Sequence, residues 1–402
     1  MPDLTKGKSP FYPGQPVPLE LFVGRQSQID RIRQRGAGQV ANGKPVAMFI
    51  EGEYGIGKRS IAMFTGRLAD GDYGLHDIYA TLGACDSVDD VARSVLEATI
   101  RSGAFHENRS AKIRNWLAKY IGDQSLFGLS LKMSSLREDA PALSSATSML
   151  SFLQEVRQHL KDTGIKGICL ILDEINGVAA NPKFANFVKG LVDSNAALPE
   201  PVPLLLILCG VADRRREMIE KHQPVERIFD VIQIEAMSNS EMEEFFTKAF
   251  ASVNMTVDSA AMSVLTRYSA GFPKIMHLIG DAAYWSDTDG RVSGEDALRA
   301  VITAAEEVGK KYVDQQVYNA LRSRDYRAIL DKIGELDPYP LSFKKSEVAS
   351  KLTEKQKQKL DNFLQRMKRL NVISAGDGRG EYKFNVRMVR MYIWLQTLKS
   401  RG

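Results

Sequence analysis

The 402-residue sequence is poor in the residues that build metal centres and covalent cross-links. Its three cysteines, Cys85, Cys169 and Cys209, are far apart and form no C-x-x-C pair. Cys169 and Cys209 fall inside apolar runs, so they read as core thiols of a reducing cytoplasm and not as ligands or a disulfide. The five histidines, His76, His106, His159, His222 and His277, show no ligand spacing, which argues against a metal site built from such side chains. No apolar run reaches the ~20 residues of a membrane-spanning helix. Residues 1–20 lack the charged-then-apolar build of a signal peptide. No internal repeat is visible. The expectation is a cytoplasmic protein with no membrane partner. With 44% hydrophobic and 26% charged residues, its composition is that of an ordinary globular chain, long enough for two or three domains.

Charge is unevenly spread. From Arg322 onward there are 19 Lys/Arg against 9 Asp/Glu, so the last fifth carries +10 while everything before it sums to −5. A basic module behind an acidic body raises the expectation of nucleic-acid contact, although a merely solvated basic face would look the same.

The most informative stretch is residues 46–60, VAMFIEGEYGIGKRS. The apolar run 46–50 reads as a buried parallel strand. It feeds Gly52-Glu53-Tyr54-Gly55-Ile56-Gly57-Lys58, which fits G-x-x-x-x-G-K, and a helical pattern with Ile61, Phe64 and Leu68 on one face follows. Strand, glycine loop, lysine and helix together make a phosphate cradle. Backbone N–H groups of residues 52–61 point at phosphate oxygens, and the helix N-terminus adds partial positive charge. The residue after the lysine is normally Ser or Thr, to hold Mg²⁺. Here it is Arg59, with Ser60 one place late.

Around this stretch the pattern alternates between strand and helix. Residues 1–21 are rich in Pro and Gly and read as an extended lead without a core of its own. A helix follows Phe22-Val23-Gly24-Arg25. Further strands are expected at 78–82, 167–172, 203–209 and 231–234, with helices at 88–100 and 149–160; residues 103–145 read as an insertion. Continuous apolar strands alternating with helices predict an α/β parallel sheet covered on both faces, spanning 46–236. From 237 to 321 only helices are expected, opened by boxes such as Ser238 with Glu241 and Ser293 with Asp296. From 322 to 402 three helices and a β-hairpin predict a winged helix.

A second acidic signal ends the strand at 167–172: Asp173-Glu174, about 115 residues after the glycine loop. In P-loop enzymes an aspartate there holds Mg²⁺, and its neighbour can polarise the attacking water. Together with Phe22-Val23-Gly24-Arg25, the lead with Phe11 and Pro13, and Gly271-Phe272-Pro273-Lys274, these motifs resemble the AAA+ ATPases. The branch is the initiator type, similar to origin-recognition and cell-division-cycle ATPases with a C-terminal winged helix. The resemblance covers most of residues 9–400.

The resemblance implies ATP or ADP with Mg²⁺, the metal held by Asp173 and Ser60. It implies an adenine pocket lined by Phe22, Val23 and Gly24. It places Lys58, Glu174, Lys274 and Arg227 in catalysis, with Lys274 against the γ-phosphate and Arg227 reaching a neighbouring subunit's nucleotide. The run Arg214-Arg215-Arg216 competes for that last role. Two departures point towards weak hydrolysis: Arg59, and the strand end Leu208-Cys209-Gly210-Val211, where a water-positioning polar residue is usual. Either the nucleotide is a switch ligand, or Ser60 or a water stands in for the missing hydroxyl. On the last module, Lys355, Lys357, Lys359, Arg366, Lys368 and Arg369 stud the expected recognition helix, and Arg379 and Lys383 the wing. They suit duplex DNA, while a protein partner remains the alternative. Function is therefore expected to be nucleotide-switched self-association with DNA contact. A STAND-like signalling switch or a non-hydrolysing ATP-binding scaffold would carry the same motifs.

Overall fold

The computed structural model describes residues 6–15, 22–102, 107–117, 143–309, 317, 321, 323–338, 340–370, 372–385 and 387–399. Most of the expected insertion, including 118–142, lies outside them. The described chain forms two compact units, one made of Gly24–Glu235, the other of the described residues of 1–23 and 236–402.

The first unit is built on five strands, Val46–Gly52 (β1), Leu75–Thr81 (β2), Gly167–Asp173 (β3), Leu204–Gly210 (β4) and Asp230–Ile234 (β5). They pair in parallel in the order β2-β3-β4-β1-β5. This is the parallel α/β sheet expected from the continuous apolar runs. Every residue of β3 and β4 is buried, as strands apolar at each position require. The helix Val88–Arg101 starts at a reciprocal cap between Ser87 and Asp90. Near the insertion, Glu107–Leu117 is a helix whose Trp116 ring lies 5.5 Å from that of Phe152 and 5.0 Å from that of His159, both on the helix Ala146–Leu160.

β2 also carries a half-buried acid. The Asp77 carboxylate lies against Gly66 of the helix Lys58–Tyr73, in space that any side chain at 66 would fill. Burial, reinforced by Asp70 and opposed by Arg67, pushes its pKa up to about 7.

The second unit gathers the N-terminal lead with helices. Phe11 is only 4% exposed. Its ring sits 4.9 Å from Phe250 and 6.0 Å from Phe245, and it occupies the space that Gly280 leaves by having no side chain. The Tyr12 N–H donates to His277 Nδ1 at 3.1 Å, and the Tyr284 hydroxyl donates to the Gly7 carbonyl at 3.0 Å. The described part of the lead is held because Phe11 borrows the aromatic core of Asn239–Ala251 and Pro273–Ser286. Burial drives the His277 pKa down to about 4.

Helices dominate the part after residue 236, and the reciprocal caps at Ser238/Glu241 and Ser293/Asp296 form. The expectation that strands stop there needs one correction. Thr256–Val257 (β6) and Arg291–Val292 (β7) pair in parallel, two residues each and too short to leave a periodic signal. The C-terminal part runs helix Arg324–Gly334, strand Ser342–Lys344 (β8), helices Lys345–Ser350 and Glu354–Arg369, strands Ile373–Ala375 (β9) and Glu381–Phe384 (β10), and helix Arg387–Lys399. The sheet order is β8-β10-β9, antiparallel. β8 went unseen in the sequence because only Phe343 of its three residues is buried. Arg390 is buried at the centre, donating to the carbonyls of Ile333 at 2.7 Å and Asp337 at 2.9 Å.

Two substitutions test this packing. Phe11→Ala should cost ~3–5 kcal/mol in denaturant unfolding; a loss below ~1 kcal/mol would show the lead to be undocked. For Asp77, the folded pKa lies above the unfolded value of 3.8. Stability from this group is therefore full below about pH 4 and is lost as pH rises through about 7. Asp77→Asn should be more stable than wild type at pH 8 by roughly 2–4 kcal/mol and should flatten that decline. An unchanged pH profile in urea denaturation would refute the assignment.

Candidate functional site

The carboxyl ends of the parallel strands share one edge of the sheet. The register sets Thr81 beside Asp173, Glu51 beside Gly210 and Gly52 beside Ile234. In parallel sheets this edge is where ligands bind. At its centre β1 turns into the glycine loop. A side chain at Gly52 would put its Cβ 2.7 Å from the Ile234 carbonyl oxygen and 2.9 Å from Ile56, so only glycine fits. Gly55 at φ 77° and Gly57 at φ 101° adopt the left-handed conformation that lets the loop curl. The helix Lys58–Tyr73 then begins without a side-chain cap, leaving its first N–H groups to the loop's interior.

Lys58 folds back over this loop. Its ammonium donates to the carbonyls of Gly52 and Glu53, at 2.8 Å each, and lies 5.6 Å from the centre of the exposed Tyr54 ring. Burial lowers its pKa, against the charges of Asp173, Glu53 and Glu174 that favour the ammonium. Lys58, Asp173 and Glu174 thus share one electrostatic neighbourhood.

Asp173 is buried, 3% exposed. Its Oδ1 accepts the Glu174 N–H at 2.8 Å and its Oδ2 accepts the Tyr79 hydroxyl from β2. Burial first, and then Asp173, raises the Tyr79 pKa, while the charge of Arg59 acts in the opposite direction. The Arg59 side chain is exposed. Glu174 holds a left-handed backbone, φ 58°, unusual for a non-glycine residue. Its Oε2 lies 2.6 Å from where a Cβ at Gly83 would be, so Gly83 makes room for it. Ser60 is half-buried, one residue and about 100° of helix beyond Arg59. At the end of β4, Cys209 is buried, and burial keeps its thiol neutral.

Arg25, named in the sequence only as the last residue of Phe22-Val23-Gly24-Arg25, has a structural role. It is 7% exposed and has φ 66°. Its guanidinium donates to the Ile56 carbonyl at 3.1 Å and to the Glu235 carbonyl. It ties the crest of the glycine loop to the end of β5. The sequence reading missed Tyr79. The arginines proposed as rivals of Arg227 have partners within the unit: Arg214 with Glu217 and Arg215 with the buried Glu51, at 2.6 and 2.7 Å, and Arg216 with Asp213. Arg227 is exposed on the short 3₁₀ segment Gln223–Ile228.

In the other unit, Val23 is buried and Phe22 half-buried, while Gly24, at φ 74°, opens the first unit. Lys274 is exposed in the first turn of Pro273–Ser286. The C-terminal cations divide between two flanks of Glu354–Arg369, whose buried side is Leu360, Phe363, Leu364 and Met367. Lys355, Lys359, Arg366 and Arg369 recur at helical spacing along one flank, and Lys357 and Lys368 lie on the other. Lys359 pairs with Asp325, and Lys357 pairs with Glu354 at 2.7 Å. Lys368 sits 5.0 Å from the centre of the Tyr382 ring on β10. Arg379 is exposed in the turn before β10, and Lys383 is half-buried on it.

No family model and no curated protein sequence matches the chain. Solved structures do. A Walker-type ATPase of Pyrococcus abyssi superposes with a TM-score of 0.57 at 16% identity, over 92% of this chain and 96% of that one. The ORC2 protein of Aeropyrum pernix, solved in ADPNP–ADP complexes, gives 0.57 at 14%, over 94% of each chain. The chain shares the α/β P-loop fold of these solved ATPases. The Aeropyrum pernix ORC1 protein in complex with DNA follows at 0.50 and 13%, again over 94% of each chain. At these identities the likeness concerns the AAA+ architecture alone.

Arg25→Ala removes a buried donor from two carbonyls, and should lower unfolding stability by ~2–4 kcal/mol. Arg25→Lys, which can reach one carbonyl but not bridge both, should recover less than half of that. Full rescue by lysine would show that the fork is not what matters.

Proposed function

We propose that this chain binds ATP and ADP at the 52–61 loop and uses the nucleotide as an assembly switch, with weak hydrolysis. The observation that carries the reading is the convergence of the curled glycine loop, Lys58, Asp173 and Glu174 at one sheet edge. Gly52, Gly55, Ile56, Gly57, Lys58, Arg59, Ser60 and Ile61 would contact phosphates through backbone N–H groups and the lysine ammonium. Phe22, Val23 and Gly24 would border the base. Incoming phosphate oxygens would replace the Gly52 and Glu53 carbonyls as partners of Lys58. Glu174 would polarise water. Lys274 and Arg227 would supply cations to the γ-phosphate, Arg227 from a neighbouring copy. The neutral Cys209 in place of a polar water-positioning group, and Arg59 in place of a hydroxyl, both support slow turnover.

The C-terminal module, read as a winged helix, would contact duplex DNA through the flank of Lys355, Lys359, Arg366 and Arg369, with Arg379 and Lys383 from the wing. Lys357 and Lys368 lie away from that flank and would contribute to any second phosphate contact. The ORC1 neighbour solved with DNA supports this reading by analogy of fold only. A non-hydrolysing scaffold or STAND-like switch, whose C-terminal module binds a protein partner, is the second reading, favoured by the same Arg59 and Cys209.

Turnover of ATP should be far below that of motor-type AAA+ proteins and should be lost in Lys58→Ala. Duplex DNA binding should weaken steeply with salt, and Arg366→Ala with Arg369→Ala should reduce the salt slope by about 2. Size-exclusion chromatography with ATP, ADP and DNA separates the readings: larger species that require both ATP and DNA support the first, and larger species formed with ATP alone and unchanged by DNA the second.

A further inference from the structure

P-loop sites usually hold Mg²⁺ between the hydroxyl after the lysine and the strand-end aspartate. The residues here do not fit that arrangement. Position 59 has no hydroxyl, and each Asp173 oxygen already accepts a hydrogen bond, from the Glu174 N–H and from the Tyr79 hydroxyl. Asp173 itself is only 3% exposed. Instead, position 59, the second residue of the helix that begins at Lys58, carries an exposed guanidinium.

We infer that nucleotide affinity at this site is independent of divalent metal, with Arg59 supplying the countercharge to the phosphates and Tyr79 holding the Asp173 carboxylate away from a metal. The inference rests on the nucleotide-binding reading and deepens it. The argument is one of charge and donors. A nucleoside diphosphate brings about three negative charges, and a helix N-terminus, Lys58 and a planar guanidinium with five N–H donors can meet them without a metal. In an ordinary P-loop the metal neutralises charge on the β-phosphate and its waters bond to the aspartate. Here the aspartate's bonds are internal to the protein, and the cation is covalently part of the chain. Mg²⁺ then bears on the residual turnover and not on holding the nucleotide. In this arrangement Tyr79 is a positioning residue acting through Asp173, and Arg59 would be the group that touches phosphate.

The test uses the full chain and ADP, titrated calorimetrically in EDTA and in millimolar MgCl₂. The dissociation constant should agree within about threefold between the two buffers, a difference well under 1.4 kcal/mol. Arg59→Thr should weaken ADP by about tenfold or more in EDTA and regain most of it with Mg²⁺. Tyr79→Phe, which frees Asp173 Oδ2, should introduce a Mg²⁺ dependence while leaving the EDTA value near wild type. Wild-type binding that collapses in EDTA overturns the inference and leaves the nucleotide reading standing. Absence of ADP binding in both buffers, from a protein whose cooperative unfolding shows it folded, overturns both. Arg59→Thr with unchanged affinity in EDTA overturns the role of Arg59.

Discussion

The candidate site depends on the close approach of two strand ends. β1 and β5 run side by side until Gly52 meets Ile234, with 2.7 Å between the Ile234 carbonyl oxygen and the point where a Cβ would stand. Everything at the sheet edge follows from that contact. The chain has to turn sharply away from β5, and glycines at 55 and 57 take up the left-handed angles the turn needs. The turn delivers Lys58 back over its own carbonyls. Arg25 closes the arrangement from the other side by bonding the crest of the turn and the residue after β5. The glycine loop is thus held at both ends by backbone geometry and at its crest by one guanidinium.

Much of this was legible in the sequence because it is local. The spacing of Gly52, Gly57 and Lys58, the apolar run leading into them, and the acidic pair closing β3 are each complete within a dozen residues. Continuous apolar runs gave the parallel sheet for the same reason, since a strand buried on both faces shows it at every position. Reciprocal caps such as Ser238 with Glu241 are also local, four residues long, and were readable as written.

What escaped depends on distant chain segments. Arg25 follows a glycine and precedes a helix, where it resembles any solvated N-terminal residue. Its burial depends on the end of β5, about 210 residues away. Tyr79 looks like an ordinary aromatic on a strand, and only the pairing of β2 with β3 brings its hydroxyl to Asp173. Phe11 sits in a Pro- and Gly-rich stretch whose composition says loop. Composition cannot report that Gly280, some 270 positions later, leaves a cavity shaped for a phenyl ring. The basic helix was half legible: its cations were visible, but their partition into two flanks emerges only once the buried stripe of Leu360, Phe363, Leu364 and Met367 fixes its rotation.

The docking of Phe11 among Phe245, Phe250 and Gly280 makes the N-terminal lead a handle. Because the ring is locked into the core of two helices, a force or a tether applied at residues 6–12 is transmitted into those helices. A tag, a surface attachment or a binding protein that grips this end therefore acts mechanically on the helical unit itself, and the placement of such a tether becomes an experimental variable in its own right.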